Sequence, residues 1–284
     1  VPKPYFALLS CAALLCLAPL TAHAAGERYH VALDGTFAPH AMPTMSGGVE
    51  GFNVDLINVI GERLGAEIEI TAAQFSGLIP GLQAGTYDFL AAPTTITPEL
   101  SENLLFTEGY LDTDYQFVVK KGAAAITRLE DLEGRTIAVN KGSSYDAWAR
   151  EHAGEYGWKV ESYGSNSDAV QAVTSNRAFA NLAGNTVAAY AVKRNPMVEL
   201  SLLVPTGRVW AFPFRKGDEE LRARIERVVE CLKIDGTIAE LAQKWFDAEP
   251  APGSAAVTPQ PGYGQPGYAG FVEDDHSFSC DVQA

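Results

Sequence analysis

The sequence predicts an α/β protein built from two similar units in tandem with a cleft between them. Three observations carry this expectation. Short apolar strands alternate with amphipathic helical stretches from residue 29 onward, and the same pattern restarts after Gly122. The 284 residues, 47% apolar and 20% charged, suffice for two medium-sized cores.

Tyr29 to Leu33 reads as a strand ending in the turn-like Asp34-Gly35-Thr36. Leu56, Val59, Ile60 and Leu64 fall at helical spacing, and Gly65 stops that run. Glu67 to Ile70 alternates as a strand with one wet face. Ser76 opens a helix through Leu78, Ile79 and Leu82, with Pro80 tolerated in its first turn, and Tyr87 to Ala92 is a buried strand. In the second unit, strands are expected at Thr136–Val139, Trp158–Glu161 and Phe179–Ala183. Helices are expected after Gly142-Ser143-Ser144, over Ser167–Ser175 and over Thr186–Val192. Val209 to Arg215 reads as one more strand, followed by helices through Leu232 and Trp245. A crevice outside the carboxyl ends of parallel strands, between two such units, is where a small molecule binds.

Lys3, an apolar run over residues 5–20 and Ala22-His23-Ala24 have the form of a secretory leader, with cleavage expected after Ala24 and export to the periplasm. Cys11 and Cys16 leave with it. Cys231 and Cys280 remain, either paired, which staples the tail onto a late helix, or as free thiols. The formal charge of −14 argues against nucleic acid or an anionic membrane surface as partner, without selecting a cationic ligand. From Glu249 prolines at 250, 252, 259, 261 and 266 and a Gly-Tyr repeat mark a low-complexity tail, residues 249–284, expected to be disordered. His30, His40 and His152 lack metal-ligand spacing, so no metal or cofactor is expected.

An ordered series of short motifs is more specific. Asp34-Gly35-Thr36-Phe37-Ala38-Pro39 is followed by Gly51-Phe52-Asn53-Val54-Asp55-Leu56, then by Leu78 to Gly85 with Asp88. Thr95-Ile96-Thr97-Pro98-Glu99 precedes Phe106-Thr107-Glu108-Gly109-Tyr110. Asp131 to Val139, Gly142-Ser143-Ser144, Phe214 to Asp218, Asp235-Gly236-Thr237 and Lys244-Trp245-Phe246 complete it. The series, from about Tyr29 to Phe246, resembles the family 3 extracellular solute-binding proteins of amino-acid ABC transporters. That resemblance implies a type 2 periplasmic-binding-protein fold, a venus flytrap whose closure presents a captured solute to an inner-membrane ABC transporter permease. It places lobe one at residues 25–117 and 212–248 and lobe two at 118–211. The hinge crossings fall near Val118-Val119 and Ala211-Phe212. A monomeric binder, not an enzyme, is implied.

The family holds a zwitterionic amino acid with an arginine for its carboxylate, an aspartate for its ammonium and an aromatic wall, because each desolvated charge needs a charge-assisted partner. Here the arginine position is Leu100 and the aspartate position is Asn185. Pro93 removes a backbone N–H from the binding loop. Thr95 retains a hydroxyl beside a short helix capped by Thr97 with Pro98 at its first position. Ser143 and Ser144 lead a helix and serve either as caps or as donors to an anion or carbonyl oxygen. Phe37 and Phe75 read as cleft walls or as ordinary core, and Asp34 as a cleft-facing or a turn-stabilising carboxylate. The expectation is a neutral, hydrogen-bonding pocket for a small polar or aromatic solute. The alternatives are a cleft enzyme of the same fold resembling a cyclohexadienyl dehydratase, or a periplasmic sensor or interaction module.

Overall fold

The structure is a computed structural model and describes residues 26–275, 277 and 280. The leader and cleavage site expected at residues 1–24 lie outside the described residues. β1 (Arg28–Leu33) is followed by a small hairpin of β2 (Met42–Pro43) and β3 (Val49–Glu50). α1 (Phe52–Leu64) buries Leu56, Ile57 and Ile60 and ends at Gly65 with φ 63°, the left-handed cap glycine adopts most readily. β4 (Glu67–Ala72), α2 (Phe75–Gln83) and β5 (Phe89–Leu90) complete a parallel sheet ordered β4-β1-β5. β6 (Thr94–Thr95), the single-turn α3 (Pro98–Ser101) and β7 (Leu104–Phe106) follow.

The long β8 (Leu111–Lys120) then enters a second unit of β9 (Thr136–Asn140), α4 (Ser144–Glu151), α5 (Ala153–Tyr156) and β10 (Lys159–Tyr163). This unit continues through α6 (Asn166–Thr174), β11 (Ala180–Gly184) and α7 (Asn185–Arg194). β12 (Val198–Ala211) runs antiparallel to β8 and leads back. The second sheet is ordered β10-β9-β11-β8-β12-β6. β9 and β11 are buried almost throughout, as strands covered on both faces must be. β13 (Pro213–Arg215) pairs with β7, and α8 (Glu219–Ile234) and α9 (Thr237–Phe246) pack against α1. β14 (Gly262–Tyr263) and β15 (Val272–Glu273) form a last hairpin.

Three expectations are corrected. Val118 and Val119 are not a crossing. They pair with Asn181 and Ala180 on one side and with Leu200 and Glu199 on the other, as fully buried residues of a central strand. The chain crosses at Thr107–Tyr110 and returns at Phe212, where the two passages bond side by side. Thr107 N–H donates to Phe212 O at 3.1 Å, and Tyr110 N–H to Trp210 O at 2.9 Å. The strand expected over Val209–Arg215 is two strands, β12 ending at Ala211 in one sheet and β13 in another.

The tail is the third correction. Residues 249–275 lie folded on the first unit, with Ala255 and Ala256 buried. Gly264 N–H donates to Thr107 O, Arg222 to Gly270 O, and the Gln260 N–H to the Glu108 carboxylate. A disulfide joins Cys231 of α8 to Cys280. The segment has few aliphatic residues and packs through backbone bonds to a neighbour, a route to order that composition does not reveal. At its base Lys233, wholly buried, pairs with Glu108 at 2.8 Å and donates to the carbonyls of Gly109 and Thr258. Burial pushes the Lys233 ammonium down and, with Glu108 close by, the Glu226 carboxyl well up.

Candidate functional site

Among the described residues, four side-chain hydrogen bonds and one ion pair join the two units across the cleft. Asn140 Nδ2 donates to Asp34 Oδ2 at 3.4 Å, Ser144 to Thr95 Oγ1 at 3.0 Å, and Tyr190 OH to Met42 Sδ at 3.2 Å. His40 Nε2 and Thr186 Oγ1 share a hydrogen bond at 2.9 Å, and Lys193 pairs with Asp247 at 3.4 Å. Beside the Asn140 and Ser144 contacts lies a cavity of about 30 Å³, room for a water or two. Its walls include Phe37, Phe75, Pro93, Thr95, Leu100, Ser143 and Ser144, all seven expected from the sequence.

Local folding explains their placement. Thr97 accepts the Leu100 N–H at 3.2 Å with Pro98 at the first helical position, and so turns Leu100 of α3 toward the cavity. Ser143 caps α4 by accepting the Asp146 N–H, while its own hydroxyl donates to Asn140 O at 2.6 Å. Asp146 in that first turn takes the Gly142 N–H and pairs with Arg150 at 2.7 Å, which blunts the helix end as an anion site. Asp34 is buried and saturated. It accepts from the backbone and hydroxyl of Thr36, from Phe75 N–H and from Asn140. Asp34 is thus a turn carboxylate that also accepts from Asn140 of the second unit.

Asn185 is not brought to this cavity. It borders a second, larger one on the other side of Trp210 and Tyr145. These two side chains press on Gly184, where a Cβ would lie 2.7 Å from the Trp210 ring and from the Tyr145 hydroxyl. Trp210 is fully buried, 4.7 Å from the His40 ring and 6.3 Å from Phe37 between centroids. It shares the wall of the smaller cavity with Leu100 and packs on Gly184, the residue before Asn185. Asn140, Tyr145 and Trp210 are site residues that sequence reasoning missed. Asn140 ends a strand directly before the Gly142-Ser143 turn, and that position was the available signal. Trp210 carried none.

His40 is packed among the rings of Phe37, Phe52, Trp210 and Phe246, and it also bridges the lobes through Thr186. Its Nδ1 shares a bond with Asn53 Oδ1 at 3.0 Å, and burial drives its pKa down to about 3. Burial likewise raises the Tyr145 phenol. Lys141 is exposed and borders neither cavity. Among the described residues no cluster of His, Cys, Asp and Glu could hold a metal ion.

Residues 29–248 match the model of the bacterial extracellular solute-binding proteins, family 3. The chain belongs to this family. It is similar to an ancestral arginine-binding protein bound to arginine, at 34% identity and a TM-score of 0.74, covering 77% of this chain and 98% of that one. It is also similar to the ancestral amino acid-binding protein AncCDT-1, a precursor of cyclohexadienyl dehydratase, at 31% identity and TM-score 0.72, covering 77% and 95%. A putative amino-acid ABC transporter-binding protein of Vibrio harveyi is 28% identical over 240 residues, 84% of this chain and 95% of that one. The architecture is accordingly the two-lobed type 2 periplasmic-binding-protein fold with two hinge crossings. Family 3 proteins are extracellular binders.

Proposed function

We propose that this chain is the exported, monomeric capture component of an amino-acid ABC transporter. Its solute is small, polar or aromatic, and amino-acid-related, but is not held by an arginine–aspartate clamp. One observation carries the reading: among the described residues the interlobe cavity has no cationic side chain in its wall, and Leu100 is in that wall; in this reading Leu100 takes the place of the family's carboxylate-binding arginine. The carboxylate of Asp34 already accepts four hydrogen bonds, and that of Asp146 takes the Gly142 N–H and pairs with Arg150. A free α-carboxylate and α-ammonium closed into this space would each lose roughly 2–5 kcal/mol of charge-assisted contact. Together that is roughly three or more decades of affinity. Asn140 Oδ1, buried at the cavity wall with no partner among the described residues, offers an acceptor to a neutral N–H or O–H instead.

Titration calorimetry with the twenty amino acids, beside native mass spectrometry for a co-purified molecule, tests this. Sub-micromolar binding of any of them, arginine included, sinks the reading. Similarity to a dehydratase precursor brings an enzyme into view. A general acid needs a free carboxyl, and Asp34 has none of its oxygens to spare. Turnover of prephenate would decide for the enzyme.

A further inference from the structure

The second cavity is a built site in its own right. It has a volume of about 750 Å³, within the roughly 300–1,000 Å³ of small-molecule sites. Its walls are apolar on three elements: Leu200 and Leu203 of β12, both nearly half exposed, Tyr190 of α7, and Trp245 with Phe246 of α9. Its charged lining is of one sign. Lys193, Arg194 and Lys244 border it; Lys193 pairs with Asp247 at 3.4 Å and Lys244 with Asp55 at 2.7 Å, which leaves the Arg194 guanidinium as the lining cation with no ion pair among the described residues. The 3.4 Å pair between Lys193 and Asp247 brings the ends of α7 and α9 together, so the cations gather where these two helices finish. Arg194 lies 5.4 Å over the Tyr190 ring, holding its guanidinium beside the aromatic wall. Asn185 borders the same space with its buried Oδ1 unpartnered among the described residues.

We infer that this groove binds an amphipathic monocarboxylate, with an aryl or alkyl body on the Leu203, Tyr190 and Trp245 walls and its carboxylate among Arg194, Lys193 and Lys244. The reading is independent of what the smaller cavity holds. Because α9 belongs to the first lobe and α7 to the second, an occupant clasps both. It therefore favours the closed arrangement and acts as a second input to closure.

The probe is 4-phenylbutyrate, titrated calorimetrically into the full chain with its disulfide intact. The neutral alcohol 4-phenylbutanol and the cation 4-phenylbutylammonium serve as controls. Saturable binding of the carboxylate is expected, about tenfold tighter than the alcohol, weakening as NaCl is raised, with no binding of the cation. Lys193→Gln combined with Arg194→Gln should cost about tenfold. Leu203→Glu, on an exposed position that tolerates charge, should abolish binding. Lys159→Gln, which removes an exposed cation that borders neither cavity, should leave it unchanged. No binding at millimolar probe, equal binding of acid and alcohol, full binding in Leu203→Glu, or equal loss in Lys159→Gln and in the Lys193, Arg194 double variant each overturns the assignment.

Discussion

Trp210→Ala asks whether an indole, rather than a ligand, fills the heart of this cleft. The ring is fully buried, edge-on to His40 and Phe37, and packed against Gly184. Truncating a buried tryptophan to alanine costs about 3–5 kcal/mol, because lost transfer energy adds to the energy of the void. For a chain of this size each kcal/mol lowers Tm by about 2–4 °C, so a fall on the order of 10 °C is expected by scanning calorimetry. The void joins the 30 Å³ cavity beside Leu100 and Phe75. It is lined by rings and aliphatic groups, so it should accept indole, as apolar cavities accept aromatic guests. Millimolar indole should then restore part of the lost Tm in Trp210→Ala and leave the parent protein unmoved. A variant that loses less than about 1 kcal/mol refutes the reasoning, since no packed core tryptophan behaves so. So does a variant that loses stability yet ignores indole, because the space would then have been filled by lobe closure.

The remaining expectations follow from buried polar groups and the tail. His40 titrates near 3 in the fold and near 6.5 when unfolded, so the unfolded chain takes up the proton first. Stability from the neutral ring is complete above pH about 6.5 and is lost as pH falls toward 3, by about 5 kcal/mol at full extent. Urea midpoints between pH 4 and 8 should show that slope, and His40→Gln should flatten it. Lys233→Met removes the ammonium from beside Glu108 and Glu226 and should cost about 3–5 kcal/mol, read by urea denaturation, whereas a loss of less than about 0.5 kcal/mol would mean that the pair adds no net stability. The disulfide spans 49 residues, so Cys280→Ser should lose about 4 kcal/mol by chain entropy, and reductant should reproduce that loss in the parent.

Much of the fold was legible because local chemistry and burial agree. Leu56 and Ile60 at helical spacing became the buried stripe of α1, and Thr97 with Pro98 set α3 as read. β12 was illegible over most of its length. Its residues alternate between half-buried and exposed, with Pro205 and Gly207 interrupting, and pairing with β8 rather than local pattern makes it a strand. At the site, the seven cavity residues sit close to turns and helix caps, where sequence speaks directly. Trp210 and the contact between His40 and Thr186, residues 146 apart in sequence, depend on how the lobes meet, and that is written in no single stretch.

The side-by-side bonds of Thr107 with Phe212 have a consequence for engineering and for evolution alike. The entire second lobe begins and ends at adjacent points, so topologically it is one large insertion into the first. The Cys231–Cys280 bond ties only segments of the host lobe and never spans the cleft. The base is therefore fastened as a finished unit, and the lobe inserted into it can be exchanged for another of the same anchor spacing without untying the knot that holds the rest.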